Sequence, residues 1–166
     1  MSKCSECSKL QPTCCENTEI CVTNGDIKRI AVYIGRNDFY HLMPVAEEMK
    51  YFYENPFNIT KGSEIYIKCL FDEDGRRNIL KKNGNRCGFL TPVGCELPLN
   101  VRPIICRLHP YNWNDNKDIW LEPHCPESLF KDEQEIKEQV CLPEEEVTRL
   151  VDLFYDEIMN KQESIS

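Results

Sequence analysis

The chain has 166 residues, the usual size of a single domain with one hydrophobic core. Its 28 acidic and 20 basic residues give a formal net charge of −8, which argues against binding to nucleic acid or to an anionic membrane surface. The residues after Met1 are polar, and no stretch reaches the roughly 18 apolar residues of a membrane span. The sequence therefore predicts neither a signal peptide nor a membrane segment, and we expect the protein in the cytoplasm.

Eleven cysteines are the strongest bias in the composition. Disulfides rarely persist in the cytoplasm, and an odd number of thiols cannot all pair within one chain. Metal binding is therefore the first explanation of the cysteines, and a disulfide scaffold is the second.

The N-terminal segment is a cysteine-rich loop without a helical or strand period. After it, Thr23 and Asp26 form the pattern of a capping box, apolar residues follow at helical spacing, and Gly35 supplies a stop. This pattern predicts a helix over residues 24–34. From Asp38 onwards a stripe of methionine and aromatic residues predicts a second helix, which ends before Pro56.

The segment 64–71 is rich in β-branched and aromatic residues and alternates in part, so it predicts a strand. An acidic turn over 72–75 and a returning strand over 77–82 would complete a β-hairpin. Cys69 falls inside the first strand, where we interpret it as a buried small hydrophobe.

The next stretch spaces Cys87, Cys95 and Cys106 along a backbone that prolines and glycines keep out of regular helix, a pattern typical of a loop that wraps a metal. After a polar turn, residues 128–140 predict a highly charged helix. A last helix begins at Pro143 and carries one apolar face, formed by Val147, Leu150, Val151, Phe154 and Ile158.

These elements predict a small α+β fold, in which helices pack around a cysteine-rich metal-binding loop core that includes a short β-hairpin. We expect residues 1–166 to form a single cysteine-cluster metal-binding domain. Within it, 1–126 would be the metal-binding core and 127–160 a C-terminal helical cover.

Two short motifs near the N-terminus add thiols to this set. Cys4 and Cys7 form a Cys-x-x-Cys pair, the shortest common way for one loop to give two ligands to one metal. Cys14 and Cys15 are adjacent, and neighbouring side chains diverge, so these two are expected to serve two sites or different irons of one cluster.

The assembled motifs resemble the YkgJ-type cysteine-cluster family, described as a zinc- or iron-chelating domain and related to flagellin lysine N-methylases. The likeness rests on the Cys-x-x-Cys and Cys-Cys pairs, on the helix start at 23–30, and on Gly94-Cys95 leading to Arg102-Pro103-Ile104-Ile105-Cys106-Arg107. It implies eight metal ligands: Cys4, Cys7, Cys14, Cys15, Cys87, Cys95, Cys106 and Cys125. Eight thiolates suit two four-thiolate sites, or one iron-sulfur cluster plus a zinc, and a 4Fe-4S cluster is the first expectation.

Charged neighbours of Cys106 have an expected role as well. Arg102 and Arg107 would offset the negative charge of bound thiolates and donate hydrogen bonds to sulfur, or alternatively pair with surface carboxylates. His109 and His124 stand beside expected ligands and either replace a sulfur or form a hydrogen bond to one.

Three functions stay open. The first is a metal-binding protein that holds an iron-sulfur cluster, zinc or both, with a redox or accessory role. The second, implied by the family alone, is a lysine N-methylase-like enzyme dependent on a metal cluster. The third is an interaction module stapled by zinc or disulfides, without catalysis. No nucleotide loop or catalytic pairing is identifiable from spacing, and we expect a protein partner or a protein substrate.

Overall fold

The structure is a computed structural model that describes residues 6, 10, 13, 15–16, 18–45, 64–121 and 128–160. Within these ranges the helices are α1 (Asn24–Ile34), α2 (Glu64–Leu70), α3 (Ile104–Leu108), α4 (Glu133–Gln139) and α5 (Glu144–Met159). The strands are β1 (Tyr40–Pro44), β2 (Arg76–Leu80), β3 (Lys82–Asn83), β4 (Arg86–Cys87), β5 (Leu90–Thr91), β6 (Gly94–Cys95), β7 (Tyr111–Trp113) and β8 (Ile119–Leu121). The prediction of a small α+β fold is confirmed at this coarse level.

The strands pair two by two rather than in one hairpin. Each pair is antiparallel: β1 with β2, β3 with β4, β5 with β6, and β7 with β8. The last three pairs join neighbours in sequence, so short turns suffice, whereas β1 and β2 are separated by α2. In this longer pairing Tyr40 lies opposite Leu80, and Pro44 lies opposite Arg76.

Helix α1 has the predicted bounds because its ends are capped locally. The amide of Asp26 donates to Thr23 Oγ1 at 2.9 Å, and the amide of Thr23 donates to Asp26 Oδ2 at 3.1 Å, which completes the capping box. At the other end Gly35 has φ 73°, and its amide donates to Ala31 O at 2.8 Å. The prediction of a helix over 24–34 is confirmed.

Two predicted elements are wrong. Residues 40–44 form a strand instead of a helix because they pair with β2, and the remainder of that predicted helix, 46–55, lies outside the described residues. Residues 64–70 form helix α2 instead of a strand. The carboxylate of Asp115 accepts hydrogen bonds from the first amides of α2, at 2.7 Å from Ile65 and 3.1 Å from Tyr66, and so favours the helix.

Other local predictions fared better. The turn over 72–75 is present, with Gly75 at φ 70° and its amide donating to Asp72 O at 3.0 Å. The returning strand is present as β2, although its partner is β1. The charged helix predicted over 128–140 is shorter, since Asp132 caps it and accepts from the Glu135 amide at 2.9 Å.

Helix α5 forms the centre of one hydrophobic cluster. All five residues of its predicted apolar face are buried, together with Tyr155. This face packs against Ile104 and Leu108 of α3, which are both fully buried. The helix that carries Cys106 is thus held between α5 and a second cluster around Ile30 and Phe89. None of the helices in the described ranges is long and apolar enough to cross a lipid bilayer.

Candidate metal centre

Four of the eight predicted ligands lie in the described part of the chain. These are Cys15, Cys87, Cys95 and Cys106. The other four, Cys4, Cys7, Cys14 and Cys125, lie outside the described residues, as does His124.

Three parts of the chain bring the described thiols together. The amide of Cys87 donates to Cys15 O at 2.9 Å, which ties the N-terminal segment to β4. An ion pair between Glu16 and Arg86, with 3.0 Å between Oε1 and Nε, strengthens this tie. Cys95 lies on β6 opposite Leu90, and Cys106 lies on α3. Cys87 belongs to the apolar cluster around Ile30, and the other three cysteines pack against that cluster.

The electrostatics of the thiols indicate mutual proximity. Burial raises the pKa of Cys106 well above its usual value, and negative charge on Cys15, Cys87 or Cys95 would raise it further. Burial likewise raises the pKa of Cys87 to about 11, with added repulsion from Cys15 and Cys95. For Cys95, burial again raises the pKa and is the largest cause, with Cys15 adding repulsion. Four thiols thus lie within electrostatic reach of one another, and without a bound cation burial favours the protonated form of Cys87, Cys95 and Cys106.

The chemistry of this donor set fits a thiophilic metal. Thiolate sulfur is the ligand that zinc and iron-sulfur clusters prefer, and no disulfide joins any two cysteines in the described part of the chain. The positions of the described side chains do not yet match a metal site. Among the described residues, no group of three or more His, Cys, Asp or Glu side chains stands close enough together to hold a metal ion. A bound metal would have to draw the thiols inward.

The two predicted arginines have different neighbours. Arg102 Nε donates to Leu97 O at 2.9 Å, and the positive charge of Arg102 offsets part of the rise that burial causes in the pKa of Cys95, so this guanidinium lies near Cys95. Arg107 Nη2 instead donates to Glu146 Oε1 on α5, at 3.0 Å. Arg107 therefore pairs with a carboxylate, which was the alternative that the sequence left open for both arginines.

The cysteines outside the predicted set lie elsewhere. Cys21 is buried, which raises its pKa to about 11, and it packs beside β2. Cys69 lies on α2 rather than on a strand and is half-buried, and Cys141 forms a hydrogen bond with the Tyr111 hydroxyl. His109 is half-buried, and burial lowers its pKa.

One residue near the thiols was missed as part of the site. The Asp26 side chain is fully buried, and its Oδ1 accepts the Ile104 amide at 3.0 Å and Arg29 Nη2 at 2.6 Å. Asp26 thereby joins α1 to the start of the helix that carries Cys106. The sequence marks Asp26 as a helix cap, but a contact 78 residues away has no local signal. Pro103 is the one residue that indicates such a contact, because proline at the N-cap of α3 has no side-chain acceptor and the first amides need one from elsewhere.

Comparison with known proteins adds no relative. No family model, curated protein or solved structure matches the chain. The likeness to the YkgJ-type family stays a prediction from the motifs.

Proposed function

We propose that this chain is a metal-binding protein that holds an iron-sulfur cluster or zinc through cysteine thiolates. The observation that supports this function is the gathering of Cys15, Cys87, Cys95 and Cys106 beside one apolar cluster, within electrostatic reach of one another. These residues come from three segments of the chain.

A single buried cysteine needs no special explanation, because cysteine packs well as a small hydrophobe. Four cysteines together are different, since each thiolate would raise the pKa of the others. A bound cation reverses this relation, because it favours the deprotonated form of every thiol that coordinates it. The proximity of the four thiols, which disfavours thiolates in the metal-free protein, would then let several thiolates bind one metal.

Arg102 supports the same function. Four thiolates around one divalent cation leave a net negative charge in a partly buried place, and burial of such a charge costs free energy. The guanidinium of Arg102 lies near enough to Cys95 to offset part of the rise that burial causes in its pKa, and it is fixed by its hydrogen bond to Leu97 O. It would offset part of the charge of the loaded centre.

We further propose that the eight cysteines divide into two sets of four. Cys15, Cys87, Cys95 and Cys106 would serve one centre, which leaves Cys4, Cys7, Cys14 and Cys125 for a second. The adjacent pair of Cys14 and Cys15 is consistent with this division, because neighbouring side chains diverge. A cytoplasmic location and a protein partner belong to the same proposal.

Anaerobic purification followed by elemental analysis tests this function. Iron with acid-labile sulfide and broad visible absorption would support an iron-sulfur centre, and colourless protein with stoichiometric zinc would support a zinc site. Metal-free protein whose cysteines are paired by mass spectrometry would overturn the proposal and favour a disulfide-stapled module.

A pair of variants checks the division of the cysteines. Cys95→Ser should lower the metal content, because Cys95 is among the gathered thiols. Cys141→Ser is the matched control, since its thiol is also half-buried but has the Tyr111 hydroxyl as its neighbour. Equal metal loss from both variants would contradict the choice of ligands.

A further inference from the structure

Helix α3, which carries Cys106, begins without a cap of its own. Pro103 occupies the N-cap position, and no side chain of the cap accepts a hydrogen bond from the first turn. The first amides of a helix have no partner within the helix, so a buried helix start requires an acceptor from elsewhere. The amide of Ile104, a fully buried residue, is in this position.

The acceptor comes from another helix. Asp26 Oδ1 lies 3.0 Å from the Ile104 nitrogen, while Asp26 Oδ2 accepts the Thr23 amide at 3.1 Å. One carboxylate therefore caps α1 and α3 at once. Cys106 lies two residues after Ile104, and its amide donates to Pro103 O at 2.9 Å, so the turn that Asp26 holds is the turn that bears the thiol.

This carboxylate is itself held firmly. Arg29 Nη2 donates to Asp26 Oδ1 at 2.6 Å, and the Glu157 carboxylate of α5 binds both Arg29 and the Thr23 hydroxyl. Asp26 has no exposed surface, so it cannot exchange these partners for water without local opening. The position of the α3 start is fixed by charge-assisted hydrogen bonds on several sides.

We infer that Asp26 is a positioning residue for Cys106: it holds the first turn of α3 and so keeps the thiol against the apolar cluster that it shares with Cys15, Cys87 and Cys95. This inference rests on the proposed metal-binding function. Residues that hold a ligand in place typically contribute 10- to 100-fold to metal affinity. Asp26→Asn should therefore weaken metal binding by about 10-fold, and we expect this loss to appear as faster metal release.

Asp115 provides a matched control. Its carboxylate also caps a helix from outside, accepting the amides of Ile65 and Tyr66 at the start of α2, and it accepts the Tyr155 hydroxyl at 2.9 Å. The helix that it holds carries Cys69, which is not among the expected ligands. Asp115→Asn thus weakens a comparable cap, because only one acceptor oxygen remains, and it leaves the helix of Cys106 untouched.

The first experiment is amide hydrogen exchange on metal-free protein. Asp26→Asn should speed exchange by about 10-fold or more in Ile104–Leu108 and leave Glu64–Leu70 near wild type, and Asp115→Asn should do the reverse. Equal effects of either variant on both helices would mean a general loss of stability and would overturn the inference.

The second experiment is metal release to an excess of chelator, measured on purified, metal-loaded protein. Asp26→Asn should release metal about 10-fold faster than wild type, and Asp115→Asn should release it at the wild-type rate. Equal release rates from a loaded wild type and a loaded Asp26→Asn variant would overturn the positioning role alone. A wild-type protein that holds no metal would overturn the proposed function, together with any role of Asp26 in metal retention.

A third measurement uses folded wild-type protein, in case Asp26→Asn does not fold. A hydrogen bond transmits scalar coupling, so NMR should detect coupling between the Ile104 amide nitrogen and the Asp26 carboxyl carbon. Its absence would overturn the inference, because Asp26 would then not hold the start of α3.

Discussion

Replacing Cys106 by serine separates the packing role of this side chain from its proposed role as a ligand. Cys106 packs against the cluster around Ile30 and Phe89, and burial keeps its thiol neutral in metal-free protein. A hydroxyl in the same place without a full set of hydrogen bonds costs about 1–3 kcal/mol. With a chelator present, Cys106→Ser should therefore lower the free energy of unfolding by about 2 kcal/mol.

The loaded protein should show a larger difference. Thiolate sites can contribute on the order of 10 kcal/mol to folding, and even a metal at a thousandfold excess over its Kd stabilises the native state by about 4 kcal/mol. Wild-type protein should therefore gain at least about 4 kcal/mol from metal. Cys106→Ser should gain far less, because one of the four gathered sulfurs is missing.

The assay is anaerobic denaturant unfolding, followed by circular dichroism with metal and with chelator. Cys69→Ser is the control, since Cys69 is half-buried on α2 and packs against the cluster of α5 rather than the gathered thiols. It should be mildly destabilised under both conditions and keep its metal. If metal stabilises Cys106→Ser as much as it stabilises Cys69→Ser, the reasoning about the ligand set is refuted.

Three further variants test the packing that surrounds the site. Phe154→Ala should lower the free energy of unfolding, measured with denaturant, by about 4 kcal/mol, since the ring is 1% exposed and has three aromatic neighbours at centroid distances from 5.4 to 5.9 Å. A loss under about 2 kcal/mol would contradict this packing. Gly25→Ala should cost about 1 kcal/mol despite the better helix propensity of alanine, because the new Cβ would collide with the Glu157 carboxylate and break its charge-assisted hydrogen bonds. A more stable Gly25→Ala variant would show that those bonds contribute little. Burial, with Asp115 as acceptor, raises the pKa of Tyr155 above the unfolded value of about 10, so its contribution to stability is complete below that pH and is lost as pH rises through the folded pKa. Tyr155→Phe should cost about 1 kcal/mol near pH 8 and lose less additional stability than wild type between about pH 8 and pH 11, which urea unfolding at both pH values would measure.

The elements that the sequence predicts well are those whose determinants are local. Helix α1 has both cap residues within its own first turn and a glycine at its end, so a short window contains the whole signal. Helix α5 has an apolar face at helical spacing, and this face is the buried one. In both cases local preference and tertiary packing agree.

The elements that the sequence does not predict are decided by distant partners. Residues 64–70 have a strand-like composition, yet a carboxylate from Asp115 caps them as a helix and Tyr66 stacks on Phe154, with 5.6 Å between the ring centroids. Residues 40–44 have a helix-like stripe, yet they pair with β2, which lies beyond α2. Tertiary contacts outweigh the local preference in each segment.

In the candidate site, too, some features can be predicted from local sequence and others depend on distant contacts. Residue type and spacing are enough to name Cys15, Cys87, Cys95 and Cys106 as expected ligands, and this choice stays a prediction. The role of Asp26 requires the fold, since its bond to the Ile104 amide spans 78 residues. The contrast between Arg102 and Arg107 also requires it, because both flank Cys106 in sequence and only their distant neighbours differ.

The packing of α5 on α3 has a consequence for the order of events during synthesis. Ile104 and Leu108 are buried against a helix that starts at Glu144, so the segment that bears Cys106 leaves the ribosome before its covering surface exists. Until α5 arrives, both apolar side chains lack their main partner and Arg107 lacks Glu146. The N-terminal cysteines emerge first, but the assembled core around Cys106 must wait for the last long helix of the chain.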